Sequence, residues 1–259
     1  MQGLIELDPG GKATVVTDLH GRLRVLKKIM EKSQLIKGLS RDTYFICTGD
    51  FIHAFGERDY SIELIEQLIF LKERFPSRVI ILLGNHEWSH IVNAPVYKGS
   101  ENQYENFLKL LNESFGLKAD MKLREYITFF KSLPIAVKIG RIFISHAAPD
   151  TTIMDSSEFD KFDAGKIKST ADKFYPLLWA RPKRLGFKQK EFSPYEEDDV
   201  ELFLSRLGCR ISIVGHTEVD KFHKLGKQLI VNSLDGAYLE LEPKDYKTVE
   251  YLEGAKRTV

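Results

Sequence analysis

Residues 78–87 read RVIILLGNHE. Five consecutive apolar side chains, Val79 to Leu83, run into a glycine and then into Asn85, His86 and Glu87. An apolar run without alternation suits a strand covered on both faces, the usual setting of a parallel strand. We read 78–85 as such a strand, with coordinating side chains gathered at its carboxyl end. Upstream, ATVVTD (13–18) and YFICTGD (44–50) read as two more strands. RLRVLKKIMEK (22–32) and SIELIEQLIFLKERFP (61–76) have helical spacing, and Pro76 stops the second. Ser61 or Asp59 is positioned to cap it. The βαβαβ order predicts a parallel core with right-handed crossovers.

Downstream, residues 100–132 read as mostly helical. IAVKIGRIFISH (135–146) reads as a hairpin turning near Gly140. The stretch 150–195 is mixed and polar. DDVELFLSRLG (198–208) predicts a helix closed by a glycine C-cap. CRISIVGH, QLIVNSLD, GAYLELE and KTVEYLE predict four further strands in a meander. The expected architecture is α/β, with two sheets packed face to face and helices outside. Residues 1–259 carry no repeat, low-complexity tract or Gly/Ser-rich linker, so a single domain is the simplest division.

Bulk composition bounds the function. The chain has 259 residues, 43% hydrophobic and 29% charged, enough for a sizeable core. With 38 basic and 37 acidic residues the net charge is +1, which gives no case for an electrostatic nucleic-acid or membrane partner. No basic-then-apolar leader opens the sequence, and no run approaches 18 apolar residues. The only two cysteines, Cys47 and Cys209, sit in or beside apolar runs and read as small buried hydrophobes. A reducing cytoplasm is the expected location.

Five stretches share one grammar, an apolar run followed by donor side chains. Asp18 and His20 follow ATVVT, and Asp50 follows YFICTG. Asn85 and His86 follow VIILLG, His146 follows RIFIS, and His216 follows ISIVG. Sites in α/β sheets form outside the carboxyl ends of strands, so these residues are expected to converge. Carboxylates, imidazoles and one amide oxygen, with no thiolate, suit Mn, Fe or Zn. So many donors exceed the needs of one catalytic metal. They suit two metals about 3.5–4 Å apart with a shared carboxylate, which together activate a water and clamp an in-line phosphoryl transfer.

The series D18-L-H20-G, G49-D50-F-I-H-A-F, G84-N85-H86-E87, H146 and G215-H216 resembles the phosphoprotein phosphatase family of the calcineurin-like metallophosphoesterases. The helix and strand over 61–87, residues 130–140 and LLWARP (177–182) are also similar. The resemblance implies a four-layer α/β/β/α sandwich with two mixed β-sheets. It implies that Asp18, His20 and Asp50 hold one metal, and that Asp50, Asn85, His146 and His216 hold the other. Mn is favoured, with Fe, Zn or Ni as alternatives. His86 would be the general acid, Glu87 a supporting residue and Arg181 of LLWARP the phosphate grip. His90 and His223 read as surface or supporting residues.

The implied activity is hydrolysis of phosphoserine or phosphothreonine in proteins by direct attack of a metal-bridging water. The alternatives are a symmetrical dinucleoside-tetraphosphatase or other nucleotide hydrolase acting on a small phosphorylated metabolite, and a non-catalytic pseudophosphatase. Phe55, Trp88 and Tyr97 are candidates to stack a base. One departure stands out. Where the family has Asp-Arg-Gly, this chain has His53-Ala54-Phe55. His53 is then expected to orient His86 through a ring–ring or water-mediated hydrogen bond. Glu57 or Asp59 is a candidate for the missing carboxylate, and Arg58 for the missing cation.

Overall fold

The computed structural model describes residues 2–55 and 58–259. The chain opens with β1 (Leu4–Leu7) and β2 (Lys12–Val16), then α1 (Leu23–Lys32), α2 (Leu35–Leu39), β3 (Thr43–Cys47), α3 (Ser61–Arg74) and β4 (Val79–Ile81). Next come α4 (Asn85–Val92), the short hairpin β5 (Tyr97–Lys98) and β6 (Glu101–Asn102), α5 (Gln103–Phe115) and α6 (Ala119–Lys131). The hairpin β7 (Ala136–Ile139) and β8 (Ile142–Ser145) follows. The last third holds α7 (Pro176–Trp179), α8 (Glu197–Arg206), β9 (Ile211–Val214), β10 (Phe222–Leu225), β11 (Gln228–Val231), β12 (Ala237–Leu241) and β13 (Lys256–Thr258).

The strands form two large mixed sheets, ordered β1-β7-β8-β9-β11-β10 and β13-β12-β2-β3-β4. Period-two burial decides how they stack. Val137, Ile144, Ile213 and Leu229 are register partners across the first sheet. Leu239, Val15, Ile46 and Ile80 are register partners across the second. Both rows fall in one buried cluster, the layer between the sheets. Their chain neighbours, such as Val16, Phe45, Cys47 and Phe143, point the other way and pack under the helices. Phe143 meets Phe203 of α8 edge to face at 5.0 Å. Each aliphatic side chain fully buried this way contributes about 1.5–3 kcal/mol relative to exposure. This is the expected sandwich of two sheets with helices outside.

The parallel order of β2, β3 and β4 and the β7–β8 hairpin with its Gly140 turn (φ +58°) agree with the sequence reading. So does the C-cap of α8. Gly208 is left-handed (φ +64°), and the Cys209 N–H donates back to the Leu204 carbonyl at 2.9 Å. Both cysteines are buried and free. Tyr60 is the N-cap of α3, and Asp59 just before it accepts the Ser61 N–H at 2.8 Å.

Three expectations are corrected. The strand over 78–85 ends at Ile81, and Asn85 already opens α4. The C-terminal strands are not a meander. β9 and β11 run parallel, the unforeseen β10 lies outside β11, and β12 belongs to the other sheet. The segment read as KTVEYLE folds as a 3-10 turn over Val249–Ala255, because Val249, Leu252 and Ala255 are spaced by three and all buried on one side. The edge strands β1 and β13 went unread. Among the described residues, no helix is long and apolar enough to cross a membrane.

Candidate metal centre

The carboxyl ends of β2, β3, β8 and β9, and the start of α4 just past β4, meet along one edge of the sandwich. The chain bends sharply there. His20, Asp50 and His216 hold left-handed backbone at φ +41°, +49° and +62°, and His53 does so at +68°. Such conformations are uncommon for residues with a Cβ and cost about 1–3 kcal/mol each, so their clustering marks a site. Close approach also requires glycine. A Cβ on Gly49 would come within 2.3 Å of the Gly84 nitrogen, and one on Gly215 within 2.0 Å of the Asp18 carboxylate.

Backbone hydrogen bonds lock the loops together. The N–H groups of Leu19 and His20 both donate to the Asp50 carbonyl at 2.9 Å. The His216 N–H donates to Asp18 Oδ2 at 2.8 Å, and the His86 N–H donates to Asp50 Oδ1 at 3.0 Å. Glu87 is the clasp. Its carboxylate accepts the N–H groups of Asp50, Phe51, Ile52 and Gly84 at 2.8 to 3.3 Å. Burial pushes Glu87 up to about 7, while these donors pull the other way.

The imidazoles are oriented by their far nitrogens. His20 Nδ1 donates to the Ile52 carbonyl at 3.1 Å, and His146 Nδ1 to the Thr48 carbonyl at 3.1 Å. Both Nε2 atoms are left as lone pairs directed at the carboxylates. His146 Nε2 then faces Asn85 Oδ1 at 2.9 Å, His216 Nδ1 at 3.0 Å and Asp50 Oδ2 at 3.5 Å. Asp50 Oδ2 lies 3.7 Å from His20 Nε2 and 3.8 Å from His86 Nε2. Asp18 Oδ1 is 3.7 Å from His146 Nδ1.

Lone pairs converging at these spacings repel one another unless cations stand between them, and the spacings suit ligands each about 2.0–2.2 Å from a metal. The donors form two groups, His20–Asp50–His86 and Asp50–His146–His216, with Asp50 in both. Burial pushes Asp18 up to about 6 and Asp50 well above the carboxylate range, the latter also through the charges of Glu87 and Asp18. Burial drives His20 and His146 down to about 3. Crowded carboxylates that resist ionising alone, beside imidazoles held neutral, fit divalent cations.

All seven sequence-predicted residues therefore meet: Asp18, His20, Asp50, Asn85, His86, His146 and His216. Arg181 lines the same cleft, a cavity of about 320 Å³. Its guanidinium packs 4.9 Å from the Phe187 ring centroid and 5.7 Å from that of Phe192. His53 is in direct ring contact with His86, Nδ1 to Nδ1 at 2.7 Å.

Other candidates fall elsewhere. Asp59 is spent on Ser61, Arg58 lies against Tyr60, and Glu57 lies outside the described residues. Trp88 is a core residue donating to the Ile167 carbonyl, so it is not placed to stack a base, whereas Phe55 and Tyr97 line the cleft. His223 is half-buried on β10. His90, read as a surface or supporting residue, is buried, its Nε2 is 2.9 Å from His53 Nε2, and its ring stacks on Tyr104 at 4.4 Å. His86 and His90 are four apart on α4 and share a face. That spacing was legible once 85–92 is read as a helix. Lys98, which sequence reading passed over, also lines the cleft.

The calcineurin-like phosphoesterase family profile matches residues 11–220. A protein of Encephalitozoon cuniculi named "Probable serine/threonine-protein phosphatase" is 22% identical over 272 residues, covering 97% of this chain and 55% of its own. The serine/threonine-protein phosphatase 4 catalytic subunit of Eremothecium gossypii is 25% identical over 210 residues, covering 81% and 57%. The chain thus spans little more than half the length of the curated relatives it matches. A serine/threonine phosphatase of Saccharomyces cerevisiae with similarity to human PP5 shares the fold with a TM-score of 0.73 at 21% identity, covering 93% of this chain and 77% of that one.

Proposed function

The chain belongs to the calcineurin-like phosphoesterase family, and on that premise we propose that it is a dinuclear metal-dependent phosphatase acting on phosphoserine and phosphothreonine in proteins. The observation that carries the metal reading is Asp50, whose carboxylate belongs to both donor groups and so supports two ions sharing one ligand. Asp18, His20 and Asp50 would hold one ion, and Asp50, Asn85, His146 and His216 the other. Two divalent ions, Mn favoured and Fe, Zn or Ni as alternatives, would supply Lewis-acid charge at the phosphoryl group and an activated water as nucleophile.

The chain's own residues do the rest. His86 lines the cleft with its Nδ1 held by His53 and its Nε2 3.8 Å from Asp50 Oδ2, which supports it as the group that would deliver a proton to the leaving oxygen. Arg181 would present a planar fork to phosphate oxygens, its guanidinium packed against two phenyl rings. The protein substrate is supported by the names of the relatives. The near-neutral charge favours no nucleic-acid or membrane partner. A cytoplasmic setting suits the two free buried thiols.

The test is a side-by-side assay on metal-stripped protein refilled with Mn. A phosphothreonine peptide, diadenosine tetraphosphate and an aryl phosphate would be compared by kcat/KM. Preference for the peptide is expected. Preference for the dinucleotide moves the function to nucleotide hydrolysis, and phosphate binding without turnover makes the protein a pseudophosphatase. Asp50→Asn should lose both metals and all activity, and unchanged metal content would sink the bridging role. His86→Asn should keep the metals and lose about 10²–10⁴-fold in rate.

A further inference from the structure

Among the described residues lining the cleft, only Arg181 and Lys98 carry permanent positive charge. Arg181 acts on Asp18, Asp50 and His216. Lys98 stands on another wall. It ends β5, just before the tight turn at Gly99 (φ +61°), and β6 returns the chain directly into α5. Its ammonium lies 3.8 Å from the centroid of the Phe55 ring. That ring in turn packs 4.3 Å from the His20 ring and 5.8 Å from the His86 ring. The cation therefore rests on an aromatic platform that abuts both a candidate metal ligand and the candidate acid.

An aromatic face holds an ammonium without using its N–H donors. Among the described residues, the anion paired with Lys98 is Glu218, 3.9 Å away on a side chain 77% exposed. An exposed pair of this kind is worth about 0–1 kcal/mol, so a dianionic phosphate entering the cleft displaces it readily. Ala54 stands where the resembling family has an arginine, and Arg58 lies on Tyr60. Among the described residues lining the cleft, Lys98 is the cation on that side.

Resting on the phosphatase reading above, we propose that Lys98 is a phosphate-binding residue of the cleft, held over Phe55 and competed for by Glu218. Arg181 grips the phosphoryl oxygens from the Asp18–His216 side, and Lys98 from the His20–Phe55 side. Glu218 keeps the ammonium at the mouth until an anion of higher charge replaces it.

The experiment is calorimetric titration of the Mn-loaded full chain with inorganic phosphate, alongside peptide kinetics. Lys98→Ala should weaken phosphate about 10-fold or more, the worth of a charge-assisted hydrogen bond. It should raise KM by a similar factor with a smaller change in kcat, and the melting temperature should stay fixed because the hairpin is exposed. Lys98→Arg should recover most of the affinity. Glu218→Gln should act in the opposite direction and tighten phosphate. If Lys98→Ala binds phosphate as wild type does, or wild type binds none, the proposal is overturned. If wild type binds phosphate through Lys98 but hydrolyses no ester, the assignment of Lys98 stands and the hydrolase reading fails instead.

Discussion

His53 Nδ1 lies 2.7 Å from His86 Nδ1, both rings buried, and His53 Nε2 lies 2.9 Å from His90 Nε2. A ladder of three imidazoles stands where the resembling family sets a carboxylate behind its acid histidine. When His86 carries two protons, its Nδ1–H donates to His53, and His53 Nε2–H donates to His90. The orientation is kept, but the negative charge is gone. Burial and the neighbouring His20 and His53 rings hold His86 well below the ordinary histidine range.

A first prediction follows from the sign of that shift. A general acid works protonated, and that form is lost as pH rises through its pKa. A depressed pKa therefore confines acid catalysis to the acidic side. His53→Asp restores a carboxylate beside His86 and should move the alkaline limb of kcat/KM for a phosphothreonine peptide up by about one pH unit or more. An aryl phosphate, whose leaving group needs little protonation, should show a smaller move. An unmoved limb with both substrates would detach His53 from the acid.

Metal binding should stabilise more at higher pH. Without metal, Asp18 is raised to about 6 and Asp50 well above its ordinary value, so both bind protons more tightly folded than unfolded. Their stability contribution is full below the unfolded carboxylate pKa and is lost as pH rises through about 6 for Asp18. Cations remove that loss, and below this range they must first displace protons. The rise in Tm on adding Mn should therefore grow from pH 5.5 to pH 7.5. A shift independent of pH would mean that Asp18 and Asp50 are not ligands.

The site was legible because its donors follow apolar runs, and strand ends gather in space. Asp18, Asp50, His146 and His216 all follow that rule. Asn85 and His86 were found by the same rule for a partly wrong reason. They lie in the first turn of α4, where the Glu87 side chain returns to the Gly84 N–H. Reading 78–85 as one strand hid the i, i+4 relation of His86 and His90, and with it the imidazole ladder. The strands β10 and β13 read FHKL and KRT, polar sequences without an apolar run. Each ends its sheet, where burial imposes little pattern.

The thiols should be silent. Burial pushes Cys47 up to about 12 and Cys209 up to about 11. Only thiolate reacts with a disulfide reagent, so native protein at pH 8 should show no rapid thiol titre. Two thiols should appear on unfolding, matching the two cysteines in the chain. A fast native titre would show that β3 or the connection between α8 and β9 opens locally.

Glu87 offers the sharpest test of how the site is held. Its two oxygens accept four backbone N–H groups, three of them from the segment Asp50–Ile52 that carries the proposed bridging ligand. Glu87→Gln keeps the shape and replaces one accepting oxygen with an NH₂ that faces N–H donors. Buried donors left without acceptors cost about 1–3 kcal/mol each, and one or two are orphaned here. A loss of about 3 kcal/mol corresponds to a fall in Tm of roughly 6–12 °C for a chain of this size. Metal affinity should fall as well, although Glu87 touches no metal in this scheme, because Asp50 is no longer held at its φ of +49°. A variant that loses stability but keeps metal affinity would make Glu87 a plain structural residue. One that keeps both would mean that the Asp50 turn is held by Gly49 and the Leu19 and His20 N–H groups alone.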